Sequence, residues 1–365
     1  MPLNSIHDRI RAETSEAHPL RVNVIGKSNG VGLARDMKLL RDALCAIGCE
    51  VTELAIDKKG SRVRRSFLVQ CGVRIMRRFA PRLRQRADVN LMLEHVWMQH
   101  LPFARFNVAI PNPEWFDRRD CRFLGQIDHV WAKTRYTQQV FQAKGASASF
   151  VGFDSEDRYD PTVPRRRSYF HLAGKSVTKG TDRLLRVWSR HPEWPPLTVV
   201  AHSPRESWHR AANIHIMTGY VSDEQLRAWQ NENIFHLCPS IAEGWGHYIV
   251  EAMSVGAVTI TTAAPPMNEL VSEERGILVA ARPAAPQCLS TTHQVDEAAL
   301  EAAIERTFEM SDEECASVGE RARSWFLQNK RGFPERLRAA LHALQLAPVP
   351  HVGNPVLEKN NRSIA

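Results

Sequence analysis

Strand-like and helix-like hydrophobic patterns alternate from the start of the chain. Residues 21–26 (RVNVIG) form a short apolar run typical of a buried strand, and the polar loop KSNGVG follows it. Residues 33–47 then place apolar side chains at the three- and four-residue spacing of a helix. Gly48 ends that helix, and CEVTELAI predicts the next strand. The order strand, helix, strand requires a parallel sheet.

The same alternation continues, stops once, and starts again at Tyr169. Residues 152–167 are polar, contain two prolines and have no period, so they predict a linker between two domains. Strands are predicted at 88–93, 106–110 and 147–151 before this linker, and at 169–174, 197–201, 213–217, 234–240, 258–262 and 276–280 after it. Helices are predicted at 134–143 (capped by Thr134), 180–190, 223–231 (capped by Ser222), 247–255, 296–309, 312–328 and 333–345, and a loop at 281–292.

These elements predict two similar α/β domains that face each other, each with a doubly wound parallel sheet. We predict an N-terminal domain at 1–160 and a second domain at 161–330. A C-terminal helix at 331–346 is expected to pack back on the first domain, and a flexible tail follows at 347–365.

Composition narrows the class of protein. The chain has 365 residues, 43% of them hydrophobic and 24% charged, as in globular domains. It has no run of eighteen apolar residues and a polar N-terminal stretch, so we expect no membrane-spanning helix and no signal peptide. Its seven cysteines are scattered and odd in number, which favours reduced thiols. We therefore expect a cytoplasmic protein, or one attached to the inner face of the cytoplasmic membrane.

The net charge of +8 is concentrated in one segment. Eleven lysines and arginines and no acidic residue lie between Lys58 and Arg86, interleaved with apolar residues in FLVQCGVRIM. Such a basic amphipathic segment suits an anionic membrane surface, phosphates of a lipid-linked acceptor, or nucleic acid. A solvated helical face is the alternative that requires no partner.

Two glutamates separated by seven residues mark the most informative stretch, Ser240–Leu270. Glu243 lies in the glycine turn Glu243-Gly244-Trp245-Gly246, and Glu251 lies on the predicted helix that follows. A glycine turn that opens a helix offers backbone N–H groups and a positive dipole end, which suit a phosphate. Carboxylates beside it accept hydrogen bonds from sugar or ribose hydroxyls. The stretch predicts half of a nucleotide-sugar site.

Three motifs in this half resemble a known family. They are Pro239-Ser240 followed by Glu243 and Glu251, then PMNELV at 266–271, and GYVSDEQL at 219–226. Their order and spacing over roughly 170–280 resemble the retaining glycosyltransferases of GT-B fold usually numbered family four. The resemblance implies two facing Rossmann-like domains with a central cleft, the first for the acceptor and the second for the nucleotide-sugar donor.

The resemblance also implies roles for individual residues. Glu251 would bind the ribose, Glu243 the donor sugar close to the reacting carbon, and Lys175 and Lys179 the donor diphosphate. The other expected donor-side residues are Gly30, Gly32, Tyr220, Gly244, Trp245 and Gly246. His95 is expected near the donor sugar, as a catalytic residue, and the expected acceptor-side residues are Glu94, Asn112, Glu114 and Trp115. A plain tight turn at Gly30 and Gly32 and a structural role for His95 are the competing interpretations.

The predicted reaction is transfer of a sugar from a UDP- or GDP-linked donor with retention of configuration. No Asp-x-Asp motif follows a strand, so we expect no metal, with the lysines and a helix dipole in place of a cation, and no other cofactor. The sequence leaves the acceptor open. A surface polysaccharide, lipopolysaccharide or glycolipid is the first hypothesis, and DNA bases are the second. A sugar-nucleotide epimerase of the same fold is the third hypothesis; it would need no second sugar and would not explain the basic first domain.

Overall fold

A computed structural model describes residues 18–27, 31–57, 66–79 and 86–346 of the chain. Gly30, residues 58–65 and 80–85 of the basic segment 58–86, and the predicted tail 347–365 lie outside these residues. Within the described ranges, no helix is both long and apolar enough to cross a membrane.

The first half of the chain builds a parallel sheet of six strands in the order β2-β1-β3-β4-β5-β6. These strands are β1 (Arg21–Lys27), β2 (Glu50–Ile56), β3 (Ala87–Leu93), β4 (Ala104–Ile110), β5 (His129–Ala132) and β6 (Ala148–Phe150). The helices of this half are α1 (Val31–Ala46), α2 (Phe67–Phe79) and α3 (Arg135–Gln142), with 3-10 turns at Met98–Phe103 and Arg118–Gln126.

The second half repeats this arrangement in a parallel sheet of order β12-β11-β10-β7-β8-β9. Its strands are β7 (Arg166–Gly174), β8 (Leu197–Ala201), β9 (Ile214–Thr218), β10 (Asn233–Cys238), β11 (Val258–Thr262) and β12 (Gly276–Val279). Its helices are α4 (Thr181–Trp188), α5 (Asp223–Glu232), α6 (His247–Ser254), α7 (Met267–Leu270), α8 (Glu297–Glu309) and α9 (Asp312–Leu346).

Both sheets have the crossover order of a doubly wound α/β fold, as the alternating pattern predicts. In such sheets ligands bind outside the carboxyl ends of the strands, next to the point where the strand order reverses. β7 and β10 lie at this point in the second sheet, and the segments after them carry the predicted lysines and glutamates.

A continuous apolar core joins the two halves. Leu40 of α1 and Val108 of β4 belong to the same buried cluster as Ile249 of α6 and Phe326 and Phe333 of α9. Asn329 and Arg336 of α9 donate hydrogen bonds to the backbone carbonyls of residues 153 and 151. Helix α9 thus packs against the first half, while the domain limits given above stay a prediction.

Two predictions about the last third of the chain are wrong. Residues 281–292, expected to be a loop, contribute to a hairpin of β13 (Ala281–Gln287) and β14 (Ser290–Val295). The hairpin tolerates Pro283 and Pro286 because it is a two-stranded ribbon whose outer edges need no backbone donor. The two helices expected at 312–328 and 333–345 are one helix, α9, with Pro334 inside it. Buried contacts of Phe333 and Leu337 on either side of Pro334 offset the backbone hydrogen bond that proline removes.

The first part of the segment between the two sheets, residues 151–158, is largely buried, whereas most of residues 159–165 are exposed. Arg158 is 4% exposed and donates hydrogen bonds to Asp223 at 2.7 Å and to Gln230 at 2.9 Å. Its partners lie on α5, so this ion pair fixes the connecting segment to the second half of the molecule.

Candidate functional site

The glycine turn between β10 and α6 holds Glu243 in a fixed position. The Ser240 hydroxyl donates to Oε1 of Glu243 at 2.6 Å and lies 2.5 Å from the Tyr248 hydroxyl. Gly246 caps α6 with a φ of 86°, a left-handed conformation that glycine adopts without strain. Burial raises the pKa of the Glu243 carboxyl, while Lys179 and the Ser240 hydroxyl lower it.

Lys179 lies against the same turn, just before α4. Its Nζ is 4.1 Å from the centre of the Tyr248 ring, a cation–π contact. Gly180, with a φ of 68°, lets the chain pass so close to Pro239 that a Cβ at this position would overlap the Pro239 carbonyl. Burial lowers the pKa of Lys179, and the nearby Glu243 and Glu251 raise it. The structure therefore brings these three predicted residues into one electrostatic cluster.

Glu251 is almost fully enclosed, with a side chain 2% exposed. Its Oε1 accepts a hydrogen bond from Nη1 of Arg35, and its Oε2 accepts one from Gln230 at 3.2 Å. Arg35 belongs to α1, on the first half of the molecule. Glu251, the residue predicted to bind the ribose, is thus held by one residue from each half of the molecule.

Lys175 is exposed and lines a separate small cavity at the ends of β7 and β8. The cavity has a volume of about 180 Å³. Its lining residues are Gly174, Lys175, Ser176, His202, Ser203, Arg205 and Trp208. Two cations, an imidazole and two hydroxyls make it suitable for an anionic or strongly polar group.

The acceptor-side prediction places Asn112 and Glu114 next to the glycine turn. A Cβ at Gly244 would overlap the Asn112 side chain, so the loop after β4 touches the turn directly. Oδ1 of Asn112 and Oε2 of Glu114 are buried and have no protein partner. Burial, helped by Glu243 and Glu94 and opposed by a backbone hydrogen bond and Lys133, raises the pKa of Glu114 to about 8. The Glu114 carboxyl is therefore mostly uncharged at neutral pH.

Glu94 and His95 lie together at the end of β3. Glu94 has a φ of 65°, and its Oε2 lies 3.4 Å from Nζ of Lys27 and 3.5 Å from Nε2 of His95. Nε2 of His95 is 2.9 Å from the same Nζ, and its Nδ1 is 3.7 Å from the buried Asp120. The side chains of Lys27, Glu94, His95 and Asp120 therefore form one charged cluster at this edge of the first sheet.

The remaining predicted residues lie at the periphery or serve packing. Trp115 is 48% exposed, and Tyr220 is 95% exposed. Gly32 is the second residue of α1 and has open space where a side chain would be. The Trp245 side chain is buried and donates to the Ser155 hydroxyl at 3.1 Å.

Sequence reasoning missed a polar network that joins the two halves beside the turn. Asp36 is buried, with Nζ of Lys133 at 2.5 Å and Nε2 of His247 at 2.6 Å. Nδ1 of His247 is 2.9 Å from the Ser155 hydroxyl. Burial on its own would raise the pKa of Asp36, but Lys133 and His247 together hold it below its ordinary value. Single charges inside helix and strand patterns gave no motif that could have indicated this network.

Two further contacts between the halves surround the site. The Glu269 carboxylate accepts hydrogen bonds at 2.7 Å from the backbone N–H groups of both Arg135 and Tyr136, and so caps α3 of the first half. The hairpin donates from the backbone of Leu289 to the Pro113 carbonyl at 3.0 Å. Helix α3 and the acceptor-side loop, both of the first half, are thus each bound to the second half.

One group of side chains in the described part of the chain could hold a metal ion. It consists of His191, Glu301 and Glu305, whose ligand atoms lie within 4.8 Å of one another. His191 follows the carboxyl end of α4, whereas Lys179 precedes its amino end, so this group lies away from the predicted donor site.

Comparisons with known proteins concern the family and the fold of this chain. Residues 169–306 match the family described as "Glycosyl transferases group 1". A protein called "Uncharacterized glycosyltransferase 335", from Sulfolobus islandicus rod-shaped virus 1, is 23% identical over 133 residues. That match covers 34% of this chain and 40% of the viral protein's length.

Solved structures show the same fold at low sequence identity. HepE from Anabaena, in complex with UDP and glucose, has a TM-score of 0.62 and 15% identity, over 89% of this chain and 100% of that one. Sucrose-phosphate synthase from Thermosynechococcus elongatus has a TM-score of 0.65 and 14% identity, over 90% and 99%. A glycosyltransferase from Rickettsia africae has a TM-score of 0.59 and 13% identity, over 90% and 98%. The chain therefore has the GT-B fold, and its second half carries a glycosyltransferase domain of group 1.

Proposed function

We propose that the protein is a retaining glycosyltransferase that moves a sugar from a nucleotide-diphosphate sugar to an acceptor bound by its first half. The observation that carries this proposal is the cluster of Lys179, from the segment after β7, with Glu243 and Glu251, from the stretch after β10. Burial lowers the pKa of the lysine and both glutamates raise it, and its Nζ lies 4.1 Å from the centre of the Tyr248 ring, which lies between them in the sequence. Two proteins of the same fold support a UDP-linked donor: HepE, in complex with UDP and glucose, and "Trehalose-6-phosphate from E. coli", bound with UDP-2-fluoro glucose.

Each group has a defined task in the proposed reaction. The bond from the anomeric carbon to the diphosphate oxygen breaks, and a new bond forms from that carbon to the acceptor oxygen. The acceptor's proton passes to the leaving phosphate, as the family resemblance implies. Lys179 and the amino end of α6 offset the charge that develops on the diphosphate. Glu243 would hold the sugar hydroxyls and fix the anomeric carbon in place.

Donor hydrolysis tests this proposal. Purified protein is incubated with a panel of UDP- and GDP-sugars, and release of the nucleotide is followed. We expect slow hydrolysis of one donor, and a loss of about 100-fold or more in Glu243→Gln and Lys179→Ala, as for other transition-state charge contacts. Glu224→Gln and Lys144→Ala, at exposed positions of the same residue types, are the controls. If the wild type hydrolysed and bound none of these donors, the function would be wrong; unchanged rates in both site variants would overturn the site assignment.

We further propose an acceptor at an anionic membrane surface, such as a glycolipid or a growing surface polysaccharide. On α2, Leu68 is 79% exposed and Ile75 is 58% exposed. These residues are seven apart and so lie on one side of the helix. They belong to the basic segment 58–86, which has no acidic residue to repel anionic lipid.

Vesicle flotation separates this acceptor hypothesis from the DNA hypothesis. The protein is mixed with vesicles of phosphatidylcholine alone or with phosphatidylglycerol, and in parallel with duplex DNA over a salt series. We expect flotation only with the anionic vesicles, and its loss in the double variant Leu68→Gln and Ile75→Gln. Binding to duplex DNA that falls steeply with salt, without flotation, would favour DNA as the acceptor instead.

A further inference from the structure

Arg35 reaches from the first half of the molecule into the predicted donor site of the second. It lies near the start of α1, and its Nη1 donates a hydrogen bond to Oε1 of Glu251. The Arg35 side chain keeps 22% of its exposure, whereas Glu251 keeps 2%. The arginine therefore lies on the solvent side of the carboxylate and covers it.

Glu251 cannot accept a ribose while this cover is in place. A carboxylate has lone pairs for more than two hydrogen bonds, and Gln230 uses one of them at 3.2 Å. Because almost none of the carboxylate meets solvent, a ribose diol can approach only if the Arg35 side chain moves away.

Two other charged groups lie close to Arg35. Oε2 of Glu156, on the connecting segment, lies 3.9 Å from its Nη2. Lys179 is also near: burial lowers its pKa, Glu243 and Glu251 raise it, and the charge of Arg35 adds a smaller lowering effect. Two cations thus converge where the proposed function places the donor diphosphate, and a guanidinium group suits phosphate oxygens.

We propose that Arg35 closes the ribose subsite of the empty enzyme and moves onto the diphosphate when a nucleotide donor binds. This inference rests on the proposed function. A nucleoside diphosphate breaks the pair between Arg35 and Glu251 but gives the arginine two phosphates in return. A nucleoside breaks the same pair but has no phosphate to which the arginine could bind. Arg35 therefore selects ligands that carry phosphate and keeps the site closed to nucleosides.

Binding of matched ligands tests this dual role. Dissociation constants for UDP, GDP, uridine and guanosine are measured by calorimetry on the full chain and on Arg35→Gln. We expect the nucleoside diphosphate to bind the variant about tenfold more weakly, the loss of one charged hydrogen bond. We expect the matching nucleoside to bind the variant more tightly than it binds the wild type. The opposite sign of the two changes is the diagnostic result, because damage to the site weakens both ligands.

Two further variants keep the inference falsifiable if Arg35→Gln folds poorly. Arg35→Lys keeps the charge, so it should retain most of the diphosphate affinity. Arg41→Gln is the matched control on the same helix, since Arg41 pairs with the exposed Asp42 and with Glu53. This variant should bind both the nucleoside diphosphate and the nucleoside as the wild type does. If Arg35→Gln bound the nucleoside diphosphate and the nucleoside equally more weakly, or bound both as the wild type does, the role of Arg35 would be overturned while the proposed function stayed intact. Failure of the wild type to bind UDP and GDP would overturn both.

Discussion

Oδ1 of Asp36 lies 2.6 Å from Nε2 of His247, and this contact joins helix α1 of the first sheet to the residue that follows the glycine turn of the second. Arg35, the preceding residue, binds Glu251, which is four residues after His247. Because positions four apart share one face of a helix, two neighbouring residues of α1 hold the same face of α6. The orientation of the two halves at the site is therefore set by charge pairs as well as by the apolar core.

Asp36→Asn should destabilise the protein strongly, because it leaves the buried Lys133 without its carboxylate. Breaking a buried pair in this way typically costs about 3–5 kcal/mol of the free energy of unfolding. The double variant Asp36→Asn with Lys133→Met should recover much of that loss, since no unpaired charge remains. Urea denaturation measures all three proteins, with Asp42→Asn at the exposed neighbouring turn as control. A single variant as stable as the wild type would show that the network carries little energy.

Glu269→Gln should weaken the contact between the second half and α3. The carboxylate accepts two backbone N–H groups at the amino end of that helix, where a negative charge is stabilising. Loss of the charge should lower the free energy of unfolding by about 1 kcal/mol. Glu273→Gln, exposed four residues later, is the control and should have no effect on thermal unfolding. Equal melting temperatures for the two variants would contradict the cap.

Stability should fall between pH 5 and pH 8 because of Glu114. Burial raises its pKa to about 8 in the folded protein, from a model-peptide value of 4.5. Between those values the folded state holds a proton that the unfolded state has lost, so unfolding is favoured as the pH rises. The contribution of this group falls by up to about 1.4 kcal/mol per pH unit. Urea titrations at several pH values should show this slope, and Glu114→Gln should remove it; an identical slope in the variant would contradict the assignment.

Gly180→Ala should disrupt the site, whereas Gly48→Ala should only lower stability. Both glycines have a positive φ, so alanine at either position costs about 1–2 kcal/mol of backbone strain. The two positions differ in the space available for the added Cβ. A Cβ at Gly48 meets nothing within 4 Å, but one at Gly180 would overlap the Pro239 carbonyl next to Lys179 and the glutamate turn. Thermal unfolding and nucleotide binding, measured on both variants, should separate strain alone from a displaced turn.

The alternation of short apolar runs and amphipathic helices was enough to predict both parallel sheets. β8 and β11 have the bounds that the pattern predicts, 197–201 and 258–262, because such strands are buried on both faces and read as continuous apolar runs. The order of motifs from Lys175 to Glu269 likewise indicated the donor half of the site, since parallel strands place their carboxyl ends at one edge. The hairpin at 281–295 was missed because ARPAAPQ has no alternation and two prolines.

Only the tertiary structure decided how the first half contributes to the site. Arg35, Asp36 and Lys133 are single charges within ordinary helix and strand patterns, and nothing local distinguishes them from solvated residues. Their partners lie 97 to 216 residues away, at His247 and Glu251 among others, so pairing depends on how the two sheets face each other. Sequence determines local structure through periodicity that spans a few residues. The burial and pairing of these charges arise only where distant segments exclude water together.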